Sequence, residues 1–245
     1  MENNIVIGRI RFRAFRAIDN KESCEKFVEG HHRVLKIFDI AHITSATNMW
    51  LDNPQCYVII AESLSGDKVY GGARIEIASD TFSLPIEEAV GMLDTKIYTK
   101  IKELSSEGCG ELCGLWNSRE VAGMGIGSIY LIRACITIAS KIGIKHLYAL
   151  SAPSMVPNSL RTGFRIDKTL GDKGTFYYPK LDLIATVVFM DDIVNLFLAD
   201  EVERQIIFNL RKTPFQVRRE ENYRKPIEIA YELNILSQNI AKGLK

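Results

Sequence analysis

Alternating glycines between an apolar segment and a helical pattern constrain the fold of this 245-residue chain more than any other feature. They occupy positions 123, 125 and 127 of the run Ala122-Gly123-Met124-Gly125-Ile126-Gly127-Ser128. Glycine allows the backbone to turn tightly and to direct its N–H groups outward. A helix that begins directly after such a loop presents unpaired amides and the positive end of its dipole to an anion. The run therefore predicts a site for a phosphate or pyrophosphate group.

The segments on either side of the glycine run predict a βαβ unit. The apolar-rich segment 111–116 is typical of a central strand, and residues 146–150 are typical of a second strand. Between them, apolar residues recur every three or four positions from Ile129 to Ile142, which predicts one face of a helix that Gly143 ends. This order of elements implies parallel strands joined by a right-handed crossover.

Two familiar phosphate-binding loops fit the glycine run poorly. A P-loop ends in Gly-Lys-Ser/Thr, whereas Gly127 is followed by Ser128 and Ile129. The dinucleotide-binding fingerprint requires a third glycine three residues after the second, and Ser128 occupies that position. The fingerprint also requires a carboxylate at the end of the second strand, and residues 143–150 contain none.

The loop and a later segment together resemble the GNAT (Gcn5-related) N-acyltransferases. Their signature, Gln/Arg-x-x-Gly-x-Gly/Ala, lies between the fourth strand and the third helix, and Gly125-Ile126-Gly127 matches its second half. Ala122 stands in place of the first Gln or Arg. Downstream, Asn158-Ser159-Leu160-Arg161-Thr162-Gly163-Phe164 resembles the asparagine-containing helix that ends in Gly-Phe. The resemblance extends from Arg9 to about Val188 and implies an α/β fold with a mixed sheet.

The resemblance implies acetyl-CoA or another acyl-CoA as the acyl donor. Backbone N–H groups of the loop would hold its pyrophosphate, and the edge of the strand before the loop would pair with its pantetheine amides. Asn158 would contact the pantetheine arm, and Arg119 or Arg161 would meet the 3′-phosphate. The cofactor-binding residues implied in this way are Leu115, Trp116, Asn117, Ala122, Gly123, Met124, Gly125, Ile126, Gly127, Ser128, Asn158 and Arg161.

The reaction implied is acyl transfer from a thioester to the primary amine of a small-molecule acceptor. The amine loses a proton, the carbonyl is polarised, and the thiolate gains a proton as it leaves. Glu111, on the strand that leads into the loop, is the first candidate base, and Glu76 is the second. Ser159 aligns with the tyrosine that protonates the thiolate in many members. Each of the three also has a structural interpretation, as a paired strand carboxylate or a capping serine.

Two alternatives remain open at this point. A synthase of N-acyl amino acids or acyl-homoserine lactones would take its acyl group from a carrier protein, and would need an apolar acyl tunnel and a basic docking face. The arginines of the first strand, Arg9, Arg11 and Arg13, are candidates for that face. A non-catalytic acyl-CoA-binding module is favoured by Ala122 and by Ser159, since neither is the residue that the resemblance leads one to expect.

Composition argues against several other classes of function. A net charge of +1 disfavours a nucleic-acid-binding surface. Five cysteines show no metal-ligand spacing, and an odd number without a secretion signal favours reduced thiols and a cytoplasmic location. The apolar run 181–190 contains Asp182 and is too short to span a bilayer. We therefore expect no metal, no nucleic acid and no membrane among the partners.

The remaining patterns predict the other elements and the domain boundary. Residues 8–18 alternate as a strand, 19–40 form a helix, 57–61 and 69–76 form a hairpin, and 85–104 form a helix. Late strands follow within 163–190, then a helix over 191–211 and a strand over 226–233. We expect a GNAT-like domain over residues 1–190 and an extension over 191–245 packed on it. The extension would shape the acceptor side or a homodimer contact.

Overall fold

The computed structural model of the chain describes residues 8–40, 43–118, 127–221 and 226–235. The helices are α1 (Lys21–Ile37), α2 (Pro85–Val90), α3 (Lys96–Ser105), α4 (Ser128–Lys141), α5 (Val156–Arg161) and α6 (Glu201–Lys212). The strands are β1 (Gly8–Arg16), β2 (Cys56–Glu62), β3 (Val69–Ile77), β4 (Cys109–Asn117), β5 (His146–Ser151), β6 (Arg165–Ile166), β7 (Thr175–Tyr177), β8 (Ile184–Met190), β9 (Phe215–Glu220) and β10 (Ile227–Glu232).

All the strands described belong to one mixed sheet. Their order is β6-β8-β5-β4-β3-β2-β1-β10-β9, and β7 pairs with β8 beside this path. Two neighbouring pairs are parallel, β4 with β5 and β1 with β10, while the others are antiparallel. The expected α/β fold with a mixed sheet is confirmed.

The predicted βαβ unit is present as β4, α4 and β5. Helix α4 ends just before Gly143, whose φ of +86° is a conformation that favours glycine. Eleven of the fourteen residues of α4 are buried, because the helix lies between the sheet and α6. This places the amino end of α4, and with it Ser128, at the carboxyl end of β4.

The helices cover both faces of the sheet, as the alternation along the strands requires. On one face, Ile59, Ala61, Leu147 and Ala149 join the core around α4 and α6. On the other face, the residues next to these in sequence pack against different helices. Val58 and Ile60 contribute to a cluster with Phe27 of α1, while Tyr148 joins the cluster of α2 and α3.

Two of the predicted helices are wrong in extent, and one strand was not predicted. The pattern over 85–104 is split into α2 and α3 by a turn at residues 91–95, where a side chain at Gly91 would collide with Tyr98. The helix expected over 191–211 begins only at Glu201, because the backbone before it turns, with a φ of +55° at Leu196. Strand β9 was missed because its alternating Phe215 and Val217 point to solvent at a sheet edge.

The segment after residue 190 continues the sheet. Strand β10 pairs in parallel with β1, and its Ile227, Ile229 and Tyr231 belong to the same core as α4. Helix α6 packs against α4 on that face. Within the described ranges, no helix is both long and apolar enough to cross a membrane.

Candidate active site at the cleft between two parallel strands

Strands β4 and β5 separate after three residues. Cys109–Glu111 pair with His146–Tyr148, and no pairing between the two strands is found among the described residues beyond that point. On its other side β4 remains paired with β3 as far as Asn117. Residues 112–117 therefore turn one strand edge toward a gap, which we call the cleft. Gly114 lies at this edge with a φ of +56°, where the register between β3 and β4 shifts.

Three connected cavities meet at the cleft. An inner cavity of about 230 Å³ lies on the α4 side, where Ile132, Met155, Ser159 and Phe164 line it. A chamber of about 620 Å³ lies on the α1 and α2 side, and we call it the apolar chamber. The two spaces share the residues of the cleft, namely Leu35, Ile40, Ile43, Ser45, Cys113, Gly114, Leu115, Leu150 and Ala152.

The third space is a side cavity of about 90 Å³ beneath α1. It is lined by Phe27, His31, Trp50 and Arg74, among others, and it shares His31 and Ser45 with the inner cavity. Ser45 therefore lines all three spaces and marks the point where they converge. From this point a bound ligand can extend into any of the three cavities, and a second ligand can occupy another of them.

Glu111 lies in the wall of the apolar chamber. One of its carboxyl oxygens accepts a hydrogen bond of 2.7 Å from the backbone N–H of Ile86, at the start of α2. Burial raises the pKa of the Glu111 carboxyl well above its usual value, and the nearby carboxylate of Glu76 adds to the rise. Loss of the proton from Glu111 is therefore disfavoured in the folded protein.

Glu76 lies directly across the strand pair from Glu111 but has different partners. Arg74 donates to one oxygen of Glu76 from Nη2 at 2.9 Å and from Nε at 3.3 Å, and the Cys113 thiol donates to the same oxygen at 3.4 Å. Arg74 also donates to the carbonyl of Ser45 and lies 4.4 Å from the Trp50 ring centroid. The carboxylate of Glu76 is thus engaged in a buried ion pair, and of these two glutamates only Glu111 lines the chamber.

Asn158 and Ser159 are carried by the short helix α5 on the opposite side of the cleft. The Asn158 side chain donates to the hydroxyl of Ser128 at 3.2 Å, which ties α5 to the first residue of α4. Ser159 is buried, lines the inner cavity and donates from its hydroxyl to the carbonyl of Met155 at 3.3 Å. Glu111 and Ser159 therefore face the cleft from opposite faces of the sheet.

Arg161, expected to meet a phosphate, has carboxylate partners in the described structure. Its guanidinium lies 3.2 Å from Asp200 and 2.9 Å from Glu203, both in the segment after residue 190. The side chain is about half exposed. A phosphate contact from Arg161 would have to compete with these two carboxylates.

The strand edge expected to pair with pantetheine is the edge that the cleft leaves open. Leu115 lines both the inner cavity and the apolar chamber. The indole of Trp116 packs against Phe27 at a centroid distance of 5.8 Å, and its N–H is buried with no hydrogen-bond partner in the described structure. Asn117 pairs with Gly71 on the β3 side.

Most of the glycine run lies outside the described residues. Arg119, Ala122, Gly123, Met124, Gly125 and Ile126 belong to that part, and their expected roles stay predictions. Gly127 is described as the residue before α4, with an extended backbone, and Ser128 is the first residue of the helix. Among the described residues, no group of three potential metal ligands is found.

Sequence reasoning missed several residues of the cleft. His31 was not among the predicted site residues, and it is buried and lines two of the cavities. Its four-residue spacing from Phe27 and Leu35 on α1 is the signal that would have placed it on the buried face. Burial, followed by the charge of Arg74, lowers the pKa of His31 to about 3. Arg74 and Ser45 carried no such signal.

Comparisons with known proteins bear on the fold. The chain matches no family model and no curated protein sequence. Among solved structures, it is similar to FeeM, an N-acyl amino acid synthase from uncultured soil microbes, with a TM-score of 0.57, 12% identity and coverage of 80% of this chain and 98% of that one. It is also similar to ElaA of Escherichia coli, with a TM-score of 0.52, 11% identity and coverage of 74% and 99%.

A third similar structure is BjaI, a CoA-dependent acyl-homoserine lactone synthase determined with SAM and isopentyl-CoA. Its TM-score is 0.50 at 12% identity, with coverage of 87% of this chain and 94% of that one. At these identities the similarity concerns the fold. The chain has the GNAT-like acyl-CoA N-acyltransferase fold that its sequence resemblance predicted.

Proposed function

We propose that this protein is an N-acyltransferase that binds an acyl-CoA in the cleft and transfers the acyl group to the primary amine of a small molecule. The observation that carries the proposal is the separation of β4 from β5, with connected cavities on both faces of the sheet. An extended thioester ligand can pass through such a gap and pair with the open edge of β4. BjaI, described as CoA-dependent, supports CoA as the carrier.

The proposed chemistry uses groups on both sides of the cleft. The amine nitrogen of the acceptor forms a bond with the thioester carbonyl carbon, the C–S bond breaks, and the sulfur leaves as a thiolate. Glu111, once ionised, would accept the proton that the amine loses. Ser159 would donate a hydrogen bond to the departing sulfur from the α5 side. In this scheme Glu76 holds Arg74 in place and does not act as the base.

A carrier-protein donor is the second candidate, and among the described residues one of its two expected features is present. An apolar chamber is present at the cleft. The arginines of β1, however, are paired with carboxylates: Arg11 and Arg13 with the buried Glu62, and Arg9 with Glu228. This pairing reduces the positive charge that a docking face for an acidic carrier would need.

Calorimetric titration with CoA, acetyl-CoA and a longer acyl-CoA tests the proposal, followed by an assay for free thiol release with a panel of small amines. Binding together with amine-dependent thiol release supports the enzyme. Binding without release under any amine would indicate a non-catalytic acyl-CoA-binding module. Absence of binding to all three ligands would contradict the CoA-dependent function and favour a carrier-protein donor.

The variant Gly125→Trp provides the matched test of the loop. A large side chain at this position would obstruct the backbone amides that we expect to face the pyrophosphate, so binding of every CoA ligand should be lost. Gly143→Ala, at the far end of α4, serves as the control and should bind normally. Unchanged affinity in Gly125→Trp would contradict the proposed role of the loop.

A further inference from the structure

The apolar chamber is larger and more apolar than an acetyl group requires. A methyl group is similar in size to a water molecule, which takes about 30 Å³ in the liquid. The chamber measures about 620 Å³, so an acetyl group would leave most of it empty. Apolar cavities of this size are usual for ligands that bury most of their surface.

We propose that the apolar chamber binds the acyl chain of the donor, and that the preferred donor carries a straight hydrocarbon chain on the order of ten to twenty carbons. The inference rests on the proposed function and specifies its substrate. It concerns a wall built by residues of α2 and of the segments 38–40, 43–45 and 178–185, which the sequence analysis did not assign to a ligand.

The lining of the chamber suits a hydrocarbon chain. Ile40 and Ile43 cover it from one side, Ile86 and Ala89 of α2 form another wall, and Leu183 and Ile184 close it near β8. Its ionisable groups include Asp182 and Glu111, and burial raises the pKa of the Glu111 carboxyl. A chain buried here gains the transfer free energy of each methylene.

The connections between the cavities favour the acyl chain over the acceptor as the occupant. The amino end of α4 lies on one face of the sheet, and the inner cavity reaches from that side, at Ile132 and Phe164, to the cleft residues that it shares with the chamber. A donor held at α4 that extends through the cleft would therefore direct its acyl group into the chamber. The side cavity beneath α1, next to His31 and Ser45, is a separate space that the acyl chain would leave empty.

A hydrogen bond joins two segments that line the chamber, one containing Thr44 and the other Tyr178. The Tyr178 hydroxyl accepts a hydrogen bond from the backbone N–H of Thr44 at 2.9 Å and lies 3.0 Å from the Thr44 hydroxyl. Both residues line the chamber. The contact fixes the segment that carries Ile43 against the segment that carries Leu183, so the chamber has a defined width into which a single chain can fit.

Titration with a series of straight-chain acyl-CoAs, from acetyl to hexadecanoyl, tests the inference. Each methylene buried in the chamber should tighten binding about fourfold, until the chain fills the space and the gain stops. The same order should appear in kcat/KM with a fixed amine. An acetyl-CoA affinity equal to that of dodecanoyl-CoA would overturn the inference while leaving the proposed function intact.

Substitutions in the chamber wall locate the chain. Ala89→Phe should weaken dodecanoyl-CoA binding on the order of tenfold or more, because it removes room for several methylenes, and should leave acetyl-CoA binding unchanged. Leu183→Trp, in a half-buried loop, tests the opposite wall in case Ala89→Phe does not fold. Glu88→Phe is the control, since Glu88 is exposed on the same helix. Equal effects of Ala89→Phe on both donors would contradict the inference.

Dodecanoate alone separates the chamber from the CoA site. If dodecanoate binds to the wild type, and if Ala89→Phe weakens that binding, the chamber accepts an acyl chain whether or not CoA is the carrier. If dodecanoyl-CoA binds and Ala89→Phe has no effect on it, the chain lies elsewhere. If apolar amines bind in the chamber and acyl chains do not, the chamber binds the acceptor and the inference is wrong.

Discussion

Three ionisable side chains on one face of the sheet, those of Arg74, Glu76 and Glu111, have different partners and therefore different properties. Arg74 and Glu76 neutralise each other within 2.9 Å, and both are almost completely buried. Glu111, opposite Glu76 on β4, forms no ion pair among the described residues, and burial raises the pKa of its carboxyl. These partners distinguish the two candidate bases, which the sequence alone could order only by their positions on the predicted strands.

Replacement of Glu111 by glutamine tests its role as the base. The amide oxygen of Gln can still accept the hydrogen bond from Ile86, so the fold and donor affinity should be retained. Turnover should fall about 10²- to 10⁴-fold, the usual contribution of a positioned general base. Glu88→Gln on the surface of α2 is the control. Wild-type turnover in Glu111→Gln would remove this residue from the mechanism.

The raised pKa of Glu111 also predicts how kcat/KM and the stability of the folded protein change with pH. Only the ionised carboxylate can act as a base, so kcat/KM should rise with pH until Glu111 is ionised. The folded protein holds this proton more tightly than the unfolded chain, so the stability from Glu111 is present at low pH and is lost as pH rises through its folded pKa. Glu111→Gln lacks this loss and should be at least as resistant to urea as the wild type at pH 8.

At the scale of secondary-structure elements, the cleft depends on the backbone of β4 at Gly114. A side chain there would be strained by the φ of +56°, and its Cβ would lie 2.9 Å from an Arg74 nitrogen. Arg74 cannot easily move, because Glu76, Ser45 and Trp50 hold it. Gly114 therefore determines both the backbone geometry of β4 and the shape of the cleft.

Gly114→Ala should accordingly lose both stability and function. The left-handed conformation alone costs an L-residue about 1–2 kcal/mol, and the close approach to Arg74 adds to this cost. Gly143→Ala is the matched control, since its φ is +86° but nothing lies within 4 Å of the added Cβ. Urea unfolding and turnover of the two variants separate the effects: both should be destabilised, and only Gly114→Ala should lose acyl transfer. Equal turnover in both would contradict a role of Gly114 in the cleft.

The elements that sequence analysis predicted correctly are those whose pattern is local. The helix after the glycine run, the hairpin of β2 and β3 and the strand β10 follow from periodicity and turn residues. The divergence of β4 from β5 could not be predicted in this way, because it depends on which strands pair and for how long. Arg74 could be recognised as a cleft residue only from the fold, since its partners Ser45 and Trp50 are distant from it in sequence.

At the scale of the whole molecule, a buried ion network joins the segment after residue 190 to the helices beside the cleft. Arg133 of α4 donates from Nε and Nη2 to Glu203 of α6 and, at 2.8 Å from Nη1, to Glu220 of β9. Arg161 of α5 also pairs with Glu203, and the Tyr231 hydroxyl donates to Glu220 at 3.1 Å. Removal of one member would leave a buried charge without its partner.

Glu203→Gln should therefore destabilise the whole protein by about 3–5 kcal/mol, the usual cost of breaking a buried ion pair. Arg165→Gln, which breaks a half-exposed pair with Asp191, should cost about 0–1 kcal/mol. The two tryptophans, Trp50 and Trp116, lie in the cluster around α1, remote in sequence from α6. If residues 191–235 fold as one unit with the rest, tryptophan fluorescence and circular dichroism should report the same lowered urea midpoint in Glu203→Gln. A fluorescence midpoint that stays at the wild-type value, while circular dichroism shows an earlier transition, would mean that the segment unfolds separately.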